Sequence, residues 1–148
     1  MNIQVEVREV PEISLYAVTH IGEFEKTMEI YGRLMEWAKN QGLLDSVTFR
    51  TVTIYHDNPR ITPPHKVRWS ACIVKDKDVS IDGEIRLISI QKGKYAVGIN
   101  IEPTLIPQAW EDMCVWVKSN GYQFRDRDYF ELYDNGQSPS VEIYIPIE

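Results

Sequence analysis

The stretch Tyr31–Gly42 (YGRLMEWAKNQG) returns 79 positions later as Trp110–Gly121 (WEDMCVWVKSNG). Both copies carry a tryptophan at the same place, Trp37 and Trp116, and apolar residues at intervals of three and four, which is the pattern of an amphipathic helix. The glycine that closes each copy suits a helix C-terminus. The chain is therefore an internal duplication built around two equivalent helices.

The duplication continues on both sides of the helices. Tyr16-Ala17-Val18 aligns with Tyr95-Ala96-Val97 at the same shift of 79, and Tyr55-His56-Asp57 aligns with Tyr133-Asp134-Asn135 at 78. We place the two repeats at residues 1–78 and 79–148 of a single domain, each made of a strand or hairpin, a helix and two strands. This predicts an α+β fold with pseudo-two-fold symmetry, in which one antiparallel sheet carries both helices on one face and a groove lies between them.

Hydrophobic patterns place the individual elements. Ser14–His20 is interpreted either as the hairpin partner of the first strand or as the same strand resumed after a bulge. Ile85–Asn100 is interpreted as two short strands joined at Lys92-Gly93. The helices are expected at about Glu25–Asn40 and Gln108–Asn120, and the remaining strands at Phe49–His56, Val67–Val74, Phe130–Tyr133 and Val141–Ile147.

Composition excludes several classes of protein. A formal net charge of -6 argues against non-specific nucleic-acid binding, which needs a basic surface. The sequence contains no run of about 18 apolar residues, so no membrane helix is predicted. Two cysteines and three histidines, all far apart, make no disulfide framework or metal-ligand set, so we expect no metal and no cofactor. A cytoplasmic protein with reduced cysteines is expected.

The candidate site is centred on Glu131, in the predicted strand Tyr129–Tyr133 that ends at the turn Asp134-Asn135-Gly136. Alternation places Tyr129, Glu131 and Tyr133 on one face. From these residues alone, both a solvent-facing polar stripe and a carboxylate in an aromatic pocket are possible. The repeat favours the pocket, because the counterpart of Glu131 is Thr53, and a shared structural role would keep one residue type in both copies.

Aromatic residues are expected to line the groove, although each of them could instead be packed in the core. A buried carboxylate facing aromatic rings suits a cationic, apolar guest, with cation–π attraction of about 0.5–2 kcal/mol per ring. The same carboxylate and a groove tyrosine, such as Tyr133, could instead act as base and acid in adding water to an electrophile. The residues do not separate these two uses. The predicted ligand-binding residues are Glu131, Tyr133, Trp69, Trp110, Tyr55, Tyr31 and Tyr144.

The chain resembles the DNA gyrase inhibitor-like (GyrI-like) domains, which also form effector-binding domains of AraC-type and MerR-type transcription regulators. The resemblance covers nearly the whole sequence. It is carried by the stretches Ile54–Pro59, Thr62–Arg68, Ser70–Val74, Gly93–Val97, Phe130–Tyr133 and Glu142–Ile147. It implies two strand–helix–strand–strand modules with an amphipathic pocket between them and a central glutamate, which falls on Glu131.

The resemblance implies three possible roles: effector or multidrug sensing, inhibition of DNA gyrase, and hydrolysis of cyclopropane-bearing toxins through a Glu and a Tyr. Two departures from the family pattern matter, and the second bears on ligand preference because it is expected near one rim of the groove. Ser70 stands where an acidic residue is common, opposite Glu142 of the second repeat, and Asn100–Pro103 replaces the turn that His20-Ile21-Gly22 partly keeps. Sensing without enzymatic activity is the leading expectation.

The expected partners follow from the same resemblance. A small molecule is the expected ligand, and neither direct nucleic-acid binding nor membrane binding is expected. No helix-turn-helix can be placed in the chain, so we expect either a stand-alone domain or the effector-binding part of a longer regulator. A fused or separate DNA-binding domain, or DNA gyrase, is then the macromolecular partner.

Overall fold

Eight antiparallel strands form one sheet, against which two α-helices pack in the described part of the chain. The computed structural model describes residues 3–23, 26–45, 49–58, 61–134 and 140–148. The predicted turn at Asn135-Gly136 and the predicted helix start at Glu25 lie outside them. In chain order the elements are β1 (Gln4–Val10), β2 (Ile13–Ile21), α1 (Thr27–Asn40), β3 (Arg50–Tyr55), β4 (Arg68–Val74), β5 (Arg86–Ile90), β6 (Gly93–Ile101), α2 (Ile106–Ser119), β7 (Tyr129–Asp134) and β8 (Ser140–Pro146).

The strand order β1-β6-β8-β7-β3-β4-β2-β5 is symmetric about its centre. Each strand of the first repeat stands as far from the β7–β3 junction as its counterpart in the second repeat. At that junction Thr53 is paired with Glu131, which is its equivalent in the repeat. The predicted α+β fold with pseudo-two-fold symmetry is therefore confirmed, and its axis passes between β3 and β7.

The two repeats exchange their first strands. β1 pairs with β6, and β5 pairs with β2, so the hairpin interpretation of β1 and β2 is wrong. Only Pro11 and Glu12 join β1 to β2, although six strand spacings, about 29 Å in a flat sheet, separate them in the order. The three Cα–Cα steps from Val10 to Ile13 span at most about 11 Å. The sheet must therefore curl strongly, and the chain continues from β1 into β2 through a bend.

The strand alignment of the repeats needs a correction of one residue. Val18 pairs with Ala71 on β4, and Gly98 pairs with Ile143 on β8, so β2 and β6 correspond at a shift of 80 rather than 79. Tyr16 accordingly packs in the core beneath α1, whereas Tyr95 packs in the core on the other face of the sheet. Because side chains alternate between faces, a slip of one residue reverses the face.

Both helices cover the same face of the sheet. Ala71, beneath α1, pairs with Thr53; Thr53 pairs with Glu131; and Glu131 pairs with Ile143, beneath α2. Directly paired residues point to the same face, so the helices lie side by side on it. The buried helical residues correspond at the predicted shift of 79, and they are Ile30, Leu34 and Ala38 on α1 and Ala109, Met113 and Val117 on α2.

A second core fills the opposite face, enclosed by the curl of the sheet. It contains residues of all eight strands. The free thiol of Cys72 lies there, and burial raises its pKa. At the helix ends, Gly42 and Gly121 adopt φ values of 72° and 78°, which are left-handed conformations that favour glycine, as the repeat predicted. No helix in the described ranges is long and apolar enough to cross a membrane.

Candidate functional site

Three hydrogen-bond donors converge on the carboxylate of Glu131, of which only 2% is exposed. Its Oε2 accepts from the Tyr55 hydroxyl at 3.2 Å and from the indole Nε1 of Trp110 at 2.6 Å. Its Oε1 accepts from the Tyr133 hydroxyl. A buried carboxylate needs such donors, because leaving it unsatisfied would be costly.

Three elements supply these groups. Alternation on β7 places Tyr133 two residues from Glu131 on the same face, and Tyr55 extends from the neighbouring strand β3. These two tyrosines belong to the floor formed by the sheet. Trp110 belongs to the second turn of α2 and reaches down from the helix layer. Side chains of α2, β3 and β7 therefore meet at the Glu131 carboxylate.

The position equivalent to Glu131 on the other side of the pseudo-two-fold axis is not a carboxylate. There Thr53 occupies the position equivalent to Glu131, and Tyr31 of α1 is the counterpart of Trp110. The Tyr31 hydroxyl lies 2.8 Å from the Val52 carbonyl oxygen and 2.6 Å from Thr53 Oγ1. It donates to the carbonyl and accepts from the threonine. The half of the site around Thr53 is thus neutral, and the half around Glu131 carries the negative charge.

Aromatic rings enclose the carboxylate beneath α2. The Trp110 ring meets the edge of Tyr55 with centroids 5.8 Å apart and stacks on Tyr129 at 6.3 Å. Both geometries are favourable for aromatic pairs. Tyr55 and Tyr129 are themselves paired across β3 and β7, so the indole rests on the junction of the repeats.

The space between the helices is lined by apolar side chains. Tyr31 and Met35 lie one turn apart on α1 and are partly buried, and Trp110 and Cys114 occupy the equivalent positions on α2. Met28 precedes Tyr31 by three residues and is 86% exposed. An exposed methionine one turn from a partly buried aromatic ring provides adaptable apolar surface on α1.

The site tyrosines are held in their neutral form. Burial raises the pKa of Tyr55 and Tyr133, and the adjacent charge of Glu131 raises both further. Burial also raises the pKa of Tyr31. A hydroxyl with a strongly raised pKa is a fixed donor at neutral pH and a poor general acid. The two hydroxyls that reach Glu131 therefore donate to its carboxylate as neutral groups.

Two of the predicted site residues lie away from the carboxylate. Trp69 is on the helix-covered face beside Tyr55, but it has no exposed surface, and its Nε1 donates to the Gly22 carbonyl oxygen at 3.3 Å. Tyr144 pairs with Phe130 and stacks on it with centroids 4.3 Å apart. Phe130 is next to Glu131 on the strand, so Tyr144 lies on the opposite face and outside the groove around Glu131.

The prediction that Tyr144 lines the groove as the counterpart of Trp69 is wrong, and the strand pairing shows why. Trp69 pairs with Tyr55, and the residue that pairs with Tyr133 is Val141. Tyr144 is three positions further along β8, and an odd offset on a strand reverses the face. The connection between β7 and β8 is seven residues shorter than the connection between β3 and β4, which shifts the alignment of the repeats at this point.

Other chemistries have little support among the described residues. No group of three or more His, Cys, Asp or Glu side chains there is placed to hold a metal ion. A depression of about 400 Å³ lies at the bend between β1 and β2, away from Glu131. Its lining consists of Glu12, Ile13, Ser14 and residues 75–78.

The opposite face carries a Ser–His–Asp chain that the sequence did not predict. Ser70 Oγ lies 2.7 Å from His56 Nε2, and His56 Nδ1 lies 3.2 Å from Asp128 Oδ1. Ser70 is fully buried in the middle of β4, and its hydroxyl also contacts Thr19 Oγ1 at 2.8 Å. A substrate cannot reach such a serine. Because His56 follows β3 and Asp128 precedes β7, the chain instead ties the two repeats together.

Known proteins with similar sequences or structures match this chain over nearly its full length. Over 154 residues the chain is 25% identical to a DNA gyrase inhibitor of Citrobacter koseri, with 97% of each chain covered. The crystal structure of the EcmrR C-terminal domain is similar with a TM-score of 0.73 at 19% identity, and the match covers 100% of this chain and 99% of that one. In the EcmrR–DNA complex, this chain spans only 57% of the matched EcmrR chain.

The structure of SAV2435 bound to tetraphenylphosphonium is also similar, with a TM-score of 0.62, 13% identity and coverage of 98% and 94% of the two chains. At these identities the solved structures show the shared fold. A family model described as a GyrI-like small molecule binding domain matches residues 3–148. The protein therefore belongs to the GyrI-like small molecule binding domain family.

Proposed function

We propose that this domain binds small lipophilic cations in the groove between α1 and α2, with Glu131 as the counter-charge. The observation that carries the proposal is the buried carboxylate of Glu131 at the junction of the repeats, surrounded by Trp110, Tyr55 and Tyr129. A cation in such a place gains both charge pairing and contact with aromatic faces. SAV2435, which shares the fold, is bound to tetraphenylphosphonium in its solved structure.

Ligand contact requires the site to open. Glu131 is 2% exposed, so a guest reaches it only after a covering side chain moves. Such a coupling between occupancy and local conformation is what a sensing domain needs, because a ligand shifts an equilibrium only by binding one state better than the other. We therefore infer a role as the effector-sensing domain of a transcription regulator, working with a fused or separate DNA-binding domain in the cytoplasm.

Titration calorimetry with tetraphenylphosphonium and with neutral triphenylphosphine oxide tests the role of charge. We expect the cation to bind with a micromolar Kd and the neutral compound to bind at least about ten-fold more weakly, since only the cation pairs with the carboxylate. In Glu131→Gln this preference should disappear.

A matched control is Glu142→Gln on the opposite face of the sheet. Glu142 accepts from the Tyr144 hydroxyl at 2.8 Å and has no part in the groove. This variant should keep the full preference for the cation. Equal binding of cation and neutral compound by the unmodified protein would refute the proposal.

A second candidate function is an inhibitory interaction with DNA gyrase. It is favoured by the Citrobacter koseri gyrase inhibitor, which matches this chain over 97% of both lengths. The acidic net charge of -6 is compatible with a protein-binding role. A supercoiling assay with purified gyrase decides it: inhibition that rises with the concentration of the domain supports this role, and full activity at a large excess removes it.

A further inference from the structure

We propose that the groove selects cations that carry an N–H donor, such as protonated amines, over quaternary cations of the same shape. This inference rests on the proposed function, because it concerns which cations Glu131 accepts. The relevant feature is the set of three protein donors that the Glu131 carboxylate accepts from. In the closed site, Oε2 accepts two hydrogen bonds and Oε1 accepts one, and every donor is an O–H or N–H group.

A guest that touches the carboxylate must take the place of a donor, since only 2% of Glu131 is open to solvent. Trp110 is the donor expected to leave. Tyr55 and Tyr133 extend from the two central strands and are part of the floor beneath any guest. Trp110 reaches down from α2, so it lies between the carboxylate and the space separating the helices.

The departure of Trp110 leaves Oε2 without its nearest donor, at 2.6 Å. Among the described residues, the equivalent group on α1 does not replace it. The Tyr31 hydroxyl donates to the Val52 carbonyl and accepts from Thr53, so both of its hydrogen-bonding roles are already used. Oε2 then keeps the Tyr55 hydroxyl, at 3.2 Å, and the buried acceptor position that Trp110 vacates must be filled by the guest or remain empty.

The two kinds of cation differ at this point. A protonated amine offers N–H to Oε2 and forms a charge-assisted hydrogen bond, which is stronger than the neutral bond that it replaces. A quaternary cation brings the same charge but only C–H groups. Losing one hydrogen bond to a buried carboxylate weakens a complex by factors of about 5 to 150 in Kd. The selectivity should fall in that range.

The test compares two naphthyl cations by calorimetry at pH 7. One is N,N-dimethyl-(2-naphthyl)methylamine, which is protonated at this pH, and the other is its N,N,N-trimethylammonium analogue. We expect the amine to bind at least about five-fold more tightly. In Glu131→Gln, which has a weaker neutral acceptor, the ratio should fall towards one, whereas Glu142→Gln should keep it.

Trp110→Phe supplies a second readout. The phenyl ring keeps an aromatic contact and removes the indole N–H, so no protein donor has to be displaced from Oε2. Both cations should then bind more tightly than to the unmodified protein, with the amine still preferred. Melting temperatures of all variants, measured without ligand, establish that they are folded.

The outcomes separate this inference from the function on which it rests. Equal Kd values, or tighter binding of the quaternary cation, would overturn the N–H selectivity and leave cation binding standing. The same ratio in Glu131→Gln would also overturn it, because the preference would then come from the extra methyl group. If neither cation binds, or if a neutral naphthyl compound binds equally well, the proposed function fails and this inference fails with it.

Discussion

Thr53 and Glu131 lie directly opposite each other on β3 and β7, and they are also equivalent positions of the two repeats. The pseudo-two-fold axis therefore passes between them. It exchanges Tyr55 with Tyr133 and Tyr31 with Trp110, so each half has a comparable set of polar aromatic side chains. A single carboxylate at the axis makes a nearly symmetric pocket chemically one-sided.

Moving the carboxylate across the axis tests this symmetry. In the double variant Thr53→Glu with Glu131→Thr, the new carboxylate would face Tyr133, Tyr55 and Tyr31, which are the symmetry counterparts of the original donors. We expect calorimetry to show cation binding within about ten-fold of the unmodified protein. Glu131→Thr alone should lose it. A double variant as weak as that single one would show that the position, and not the symmetric set of donors, decides binding.

The site tyrosines predict a loss of stability at alkaline pH. The pKa values of Tyr31, Tyr55 and Tyr133 are raised in the folded protein, mainly by burial, whereas in the unfolded chain they are about 10. Below pH 10 both states are protonated and nothing changes. Above it the unfolded state loses protons first, so each tyrosine lowers the free energy of unfolding by about 1.4 kcal/mol per pH unit.

Urea unfolding at several pH values between 9 and 11.5 measures that slope. Tyr133→Phe removes one titrating group, so its stability should fall less steeply with pH than that of the unmodified protein, even if its stability at pH 8 is lower. Parallel slopes for the two proteins would contradict the assignment of Tyr133 as a buried, neutral hydroxyl.

Gly98 allows α2 to approach the sheet. A Cβ atom at this position would lie 2.5 Å from Met113 Sδ on the buried face of α2, whereas Val18 is at the equivalent position beneath α1. Gly98→Ala should therefore lower the free energy of unfolding by about 1–3 kcal/mol through overpacking. It should also weaken cation binding, because α2 carries Trp110.

Gly32 is the matched control for that substitution. It is exposed in the middle of α1, and a Cβ atom there would meet nothing within 4 Å. Gly32→Ala should raise the free energy of unfolding by about 0.5–1 kcal/mol, because alanine favours the helix. The two substitutions should shift the denaturant midpoint in opposite directions, with the larger shift for Gly98→Ala. A neutral Gly98→Ala would refute the close approach of Met113 to Gly98.

The Ser70–His56–Asp128 chain should be structural. Ser70 is completely buried, so a fluorophosphonate reagent should not label it in the folded protein. Ser70→Ala leaves the ring nitrogen of His56 without that hydroxyl and should lower the free energy of unfolding by about 1 kcal/mol. Mass spectrometry that finds the reagent on Ser70 would show instead that the serine is accessible and activated.

The helices and the central strand could be predicted from the sequence. The apolar spacing on each helix is local and strong, and the observed start of α2 at Ile106 is two residues before the predicted one. Alternation on Tyr129–Asp134 likewise placed Glu131 and Tyr133 on one face, and the structure confirms it. These features depend on periodicities of a single segment.

The features that could not be predicted depend on contacts between distant segments. Nothing in Gln4–Val10 specifies β6 rather than β2 as its neighbour, since both are apolar strands of similar length. The face of Tyr144 depended on a difference in loop length between the repeats. The donation from Trp110 to Glu131 depends on how α2 packs on the sheet, where Met113 lies against Gly98.

The exchange of first strands has a consequence for assembly. Because β1 completes the sheet of the second repeat and β5 that of the first, neither repeat is a complete folding unit. Two separate copies of one repeat would have to associate as a strand-swapped homodimer, and identical residues would then meet at the axis. Such a dimer offers two carboxylates facing each other, or none. Having two different halves in one chain lets Glu131 face a threonine, which gives the pocket a single negative charge at the axis.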